Sequence, residues 1–80
     1  MTEQEARAAV YAAIHQVAPD VDTDDLDESA RLRQDLELDS LDFLRLIETI
    51  HEATNVDITE RDHAVIPTVI RLITYVAEHG

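Results

Sequence analysis

Apolar positions along this chain recur every three or four residues, the interval of one helical face, and no stretch alternates with period two for long. Ala6, Ala9, Val10, Ala13, Ile14 and Val17 form the first stripe. Thr2 and Glu5 precede it at capping-box spacing, and Pro19 closes it. Leu41, Leu44, Ile47 and Ile50 form a second stripe, widened by Phe43 and Leu46. That helix starts at Asp39 or Ser40, either of which can cap exposed N–H groups, and runs to about Ala53, with Asn55 as its stop. A stripe of this kind ordinarily faces the core, so burial of both edges of the second helix is the expected reading, with service to a partner or a bound apolar group as the alternative for part of that surface. Val69, Leu72, Ile73 and Val76 mark a last helix from Thr68 to about His79. Before it, Thr59-Glu60-Arg61-Asp62 reads as the start of a short helix III, capped by Thr59 and ended by Pro67, with Val56 and Ile58 as anchors.

From Val21 to Asp39 no period holds. A connection of that length in a compact domain is usually functional or tied down. Leu26, Leu32, Leu36 and Leu38 are spaced to peg it onto the helices, which predicts an ordered loop containing a short helical turn. The fold expected is therefore all-α: a small four-helix bundle of three longer helices and one short helix III. A long loop joins helices I and II, and residues 1–80 make one domain.

A chain of 80 residues buries only about 60% of its unfolded surface, and without cysteine it has neither disulfides nor thiolate metal ligands. An aliphatic helical core is the remaining solution, and an apolar fraction of 45% is enough for one. Charge narrows the function further. Eighteen Asp and Glu stand against six Arg, a net charge of −12. Such a surface repels phosphate backbones and anionic lipid, so neither nucleic acid nor membrane is an expected partner, whereas proteins with basic patches are. No apolar run approaches the ~20 residues that cross a bilayer, and no signal-peptide pattern opens the chain; the expected setting is cytoplasmic.

Candidate chemistry concentrates in Asp35-Leu36-Glu37-Leu38-Asp39-Ser40-Leu41-Asp42, where the acidic loop gives way to helix II. A serine there is either a helix cap or a hydroxyl presented for another protein to modify. The second role has a physical logic, because a phosphate ester at a helix start meets free N–H groups and a positive dipole end. Asp39 and Asp42 suit a cationic groove on a modifying enzyme better than a free anion. A nucleophilic serine would need a base and oxyanion donors. His15, His51, His63 and His79 lie in or near different helices, and no G-x-S-x-G or S-x-x-K pattern occurs, so no hydrolase is expected. The run from Asp20 to Asp25 fails as a calcium loop: Asp25 stands where Gly is needed and Arg31 where a bidentate Glu belongs.

The motif residues Asp35-Leu36 and Leu38-Asp39-Ser40-Leu41-Asp42 resemble the attachment motif of acyl carrier proteins. The resemblance extends from about Glu3 to Ala77 and includes the long acidic loop, the short helix III and the Pro67-Thr68-Val69 entry to the last helix. It implies a carrier and not an enzyme. A phosphopantetheinyl transferase would use coenzyme A and magnesium to attach 4′-phosphopantetheine to Ser40, and the arm's thiol would hold acyl groups as thioesters. Partners would be that transferase and acyl-loading and acyl-transfer enzymes with basic docking patches, which meet a monomer through Asp39, Leu41, Asp42, Arg45 and Glu48. Similar carriers shelter the acyl chain between helices II and III. Three positions depart from the pattern. Glu37 stands where the family commonly has Gly, so the turn before Ser40 is expected to differ in backbone conformation. Arg45 replaces a usual Glu of fatty-acid-type carriers, and Glu48 a frequent Met. The last two imply a specialised carrier for a lipid, polyketide or related pathway, and the Gly-Gly-x-Ser pattern of peptidyl carriers is missing. A different class stays open beside this one: an acidic helical adaptor that binds a basic protein and never carries an arm.

Overall fold

The computed structural model describes the backbone of residues 1–80 and every side chain except that of Glu60. It is all-helical, with three longer helices, α1 (Glu3–Val17), α2 (Ser40–Thr54) and α3 (Val69–His79), and two 3-10 segments, Thr23–Asp25 and Glu60–Val65. The first 3-10 segment is the helical turn expected inside the long loop. The second occupies the place of helix III.

Helix α1 begins with the capping box that its spacing implied. Thr2 Oγ1 accepts the Glu5 N–H at 3.1 Å, and Glu5 Oε1 accepts the Thr2 N–H at 3.0 Å. The backbone N–H of Thr2 holds the Glu5 carboxyl below its ordinary range, with the Thr2 hydroxyl adding to the effect. Ala6, Val10, Ala13 and Ile14 are buried, and this face packs against both α2 and α3. In α3 the buried set is Val69, Leu72, Ile73 and Val76, as the stripe predicts.

Helix α2 departs from expectation. Its buried residues are Phe43, Leu46, Ile47 and Ile50, whereas Leu41 is 72% exposed and Leu44 43%. Six apolar positions cover more than one seam, and α1, which packs against this helix, covers only part of that arc. The N-terminal edge of the stripe is surface. Asn55 ends the helix in the left-handed conformation (φ 60) and donates its N–H to the His51 carbonyl at 2.8 Å.

The segment after α2 is pegged by Val56 and Ile58, both buried. Thr59 occupies the cap position of Glu60–Val65 but makes no side-chain capping bond there. Its hydroxyl lies 3.4 Å from Asp62 Oδ2 instead. Between Thr59 and Pro67 there is room for barely two turns, and the chain takes the tighter 3-10 winding, in which Asp62 N–H reaches the Thr59 carbonyl at 2.9 Å.

The long loop is fastened on both sides. Leu32 and Leu38 are buried, and Leu26 and Leu36 pack half-buried on the core. Arg7 Nε and Nη2 donate to the two Glu28 carboxylate oxygens at 2.6 and 3.1 Å, and Tyr11 OH donates to the same carboxylate at 2.7 Å. Arg7, and after it Tyr11, holds the Glu28 carboxyl below its usual range. On the other side the loop completes the start of α3. Val69 N–H donates to Ala30 O at 3.1 Å, Ile70 N–H to Glu28 O at 2.8 Å, and Leu32 N–H to Pro67 O at 2.9 Å. With Thr68 Oγ1 accepting the Arg71 N–H at 3.3 Å, the first donors of α3 all have partners.

Candidate functional site

The site lies at the start of α2. Asp39 is its N-cap, in extended conformation, and Asp39 Oδ1 accepts the Asp42 N–H at 2.8 Å. A carboxylate at this position both satisfies a free N–H and faces the positive end of the helix dipole. The capping role thus falls to Asp39, and the Ser40 side chain is not needed for it. Ser40 is exposed, and its backbone N–H and that of Leu41 have no intramolecular acceptor among the described residues.

A tight turn leads into this cap. Arg31 N–H donates to Asp35 Oδ2 at 2.8 Å, while Asp35 and Leu36 N–H return to the Arg31 carbonyl at 2.9 and 3.2 Å. The Arg31 side chain holds the Asp35 carboxyl below its ordinary range, the Arg31 N–H contributing next. Glu37 follows with φ 58. The turn therefore has the left-handed geometry that glycine takes without strain, and here a residue with a Cβ takes it.

Asp39, Ser40, Leu41 and Asp42 come together at the helix tip. Arg45 and Glu48 are exposed further along α2, one and two turns on from Leu41, so that Glu48 stands ~12 Å along the axis from Ser40. Arg33 was not among the residues singled out from the sequence. Its Nη2 donates to Ser40 Oγ at 3.1 Å, across the turn. Beside it opens a cleft of about 400 Å³ between the loop, α2 and the second 3-10 segment, lined by Leu32, Arg33, Phe43, His63, Ile66 and Pro67 among others. His63 stands edge-on to Phe43, with ring centroids 5.0 Å apart. Three other candidate groups are engaged elsewhere. Asp22 Oδ1 accepts the Asp24 N–H at 3.0 Å, and His51 and His79 place Nδ1 against the carbonyls of Val56 and Tyr75.

An exposed hydroxyl that is not the helix cap, open N–H groups and a guanidinium beside it suit a phosphate ester. Residues 9–76 match the family described as phosphopantetheine attachment site. That defines the class: a helical carrier of a covalent phosphopantetheine arm. An acyl carrier protein of Rubrobacter xylanophilus is 34% identical over 76 residues, covering 91% of this chain and 94% of the relative. Acyl carrier proteins of Chlamydia caviae and Chlamydia felis are 39% and 38% identical over 56 residues, covering 70% of this chain and 73% and 72% of theirs. The chain belongs to the acyl carrier protein family, and is a carrier rather than an enzyme. Its lack of cysteine is consistent with that role, because 4′-phosphopantetheine brings the reactive thiol. No helix among the described residues is long and apolar enough to cross a membrane.

Proposed function

We propose that Ser40 is the residue that bears the 4′-phosphopantetheine arm, and that the loaded protein serves a specialised lipid, polyketide or related biosynthetic pathway as a cytoplasmic, single-domain monomer. The observation that carries this reading is the division of labour at the tip of α2: Asp39 caps the helix and leaves the exposed Ser40 hydroxyl available. The one other serine, Ser29, donates its hydroxyl to Asp27 at 2.6 Å and sits on no helix start.

When attached, the arm supplies a thiol that holds acyl groups as thioesters. The chain's own part is presentation. Asp39 and Asp42 offer negative charge to a basic groove on the phosphopantetheinyl transferase and on acyl-loading and acyl-transfer enzymes, and Leu41, 72% exposed, offers an apolar contact between them. Arg45 and Glu48 extend that surface, and both are exposed where an enzyme reaching Ser40 would lie. Their departure from the fatty-acid pattern supports partners of a different pathway. The cleft beside Phe43 offers an apolar floor for the bound acyl chain.

Incubation with coenzyme A, magnesium and a broad-specificity transferase should add one phosphopantetheine to the intact mass. Ser40→Ala should abolish the addition and Ser29→Ala should leave it intact. A wild-type protein whose mass does not change would favour the acidic adaptor.

A further inference from the structure

We propose that Arg33 binds the phosphodiester through which the arm joins the protein, and so fixes the direction in which the arm leaves the surface. The proposal rests on Ser40 being the attachment residue. Three observations lead to it.

First, Arg33 is the basic group on the Ser40 oxygen, 3.1 Å away, and the ion pairs among the described residues engage Arg7 and Arg31 but not Arg33. Second, its backbone is held from both sides. Leu32 is 1% exposed and bonded to the Pro67 carbonyl, and the turn from Arg31 to Leu36 is closed by its own hydrogen bonds. Third, the polarity of the contact survives modification. The guanidinium donates and the serine oxygen accepts, so esterifying that oxygen removes no hydrogen from the bond.

The charge of a phosphodiester resides on its non-bridging oxygens, two bonds beyond Oγ. A planar guanidinium is suited to grip such oxygens in pairs, and the bond there joins two charged groups where the serine hydroxyl offers only a neutral acceptor. The need is local. Asp39 and Asp42 flank the serine, and the whole chain carries −12. An added anion at this tip is repelled unless a cation meets it. Arg33 also lines the cleft with Phe43 and Ile66, so a phosphodiester gripped at that edge starts the arm toward the cleft and away from the Leu41 side.

The test is 31P NMR of the transferase-loaded protein, after intact mass confirms loading. The phosphodiester resonance of Arg33→Gln should be displaced from wild type by more than its line width, and Arg33→Lys should fall between them. Arg71→Gln, which removes a positive charge from α3, should coincide with wild type. High salt should move the wild-type signal toward that of Arg33→Gln. Loaded proteins whose wild-type and Arg33→Gln signals coincide would overturn the proposal while leaving the attachment site intact. A wild-type chain that cannot be loaded at Ser40 would overturn both.

Discussion

Glu37 provides the sharpest check on the backbone at the site. Its φ of 58 places a Cβ-bearing residue in the left-handed region, which costs an L-residue roughly 1–2 kcal/mol. Glu37→Gly removes that cost but gives the unfolded chain more freedom, which returns ~0.4–1 kcal/mol. The Glu37 side chain is exposed and makes no hydrogen bond among the described residues, so nothing else is lost. The net expectation is a gain of about 0.5–1 kcal/mol, or a melting temperature ~3–6 °C higher for a chain of this size. Removing a negative charge from a protein at −12 also relieves repulsion, and Glu37→Gln measures that part alone, because it keeps the Cβ. Urea unfolding and calorimetry on the wild type and both variants separate the two contributions. If Glu37→Gly were no more stable than Glu37→Gln, the left-handed turn would not be under strain and the reasoning would fail.

Leu46 and Leu41 should respond in opposite ways. Leu46→Ala, at a site with 0% exposure, should cost ~3 kcal/mol in urea unfolding. Leu41→Ala should change stability by less than ~0.5 kcal/mol yet slow transferase loading. Equal stability losses would mean that Leu41 is packed after all. A third expectation concerns Tyr75, whose hydroxyl donates to Asp62 Oδ2 at 2.7 Å. That bond, and then partial burial, push its pKa up to about 12. Because the folded value lies above the unfolded one of ~10, the contribution to stability is fully present below pH ~10 and is lost as pH rises through about 12. Absorbance titration should show Tyr75 ionising near the top of that window, and Asp62→Asn should bring it back toward the ordinary value. A Tyr75 step that Asp62→Asn leaves in place would sink the assignment.

Much of this fold was legible because local chemistry and core burial agree. The Thr2–Glu5 box, the stop at Asn55, the pegs Leu32 and Leu38 and the stripe of α3 all stand where spacing puts them. Periodicity alone places Leu41 and Leu44 on the core stripe because it counts apolar residues without knowing how wide an arc the neighbouring helices cover, whereas the family resemblance places Leu41 on the partner surface; both are exposed. The choice between Asp39 and Ser40 as cap was open in the sequence, since both side chains can accept an N–H. The carboxylate takes the role in the fold, where it also meets the helix dipole. Glu37 is expected to alter the turn, yet it holds a left-handed φ of 58, a conformation glycine takes without strain, so the position needs no different backbone conformation. Arg33 was invisible for a different reason. It sits in the aperiodic loop, and its reach to Ser40 depends on Leu32 bonding to Pro67, thirty-five positions along the chain. No local signal encodes such a contact.

The two loop carbonyls that receive the first N–H groups of α3 make the connection and that helix one cooperative unit. Fraying at Val69 and Ile70 frees the backbone around Glu28 and Ala30, and with it the footing of the turn that holds Arg33. The C-terminal helix, remote in sequence from the serine, thereby governs how firmly the ground beside the serine stands.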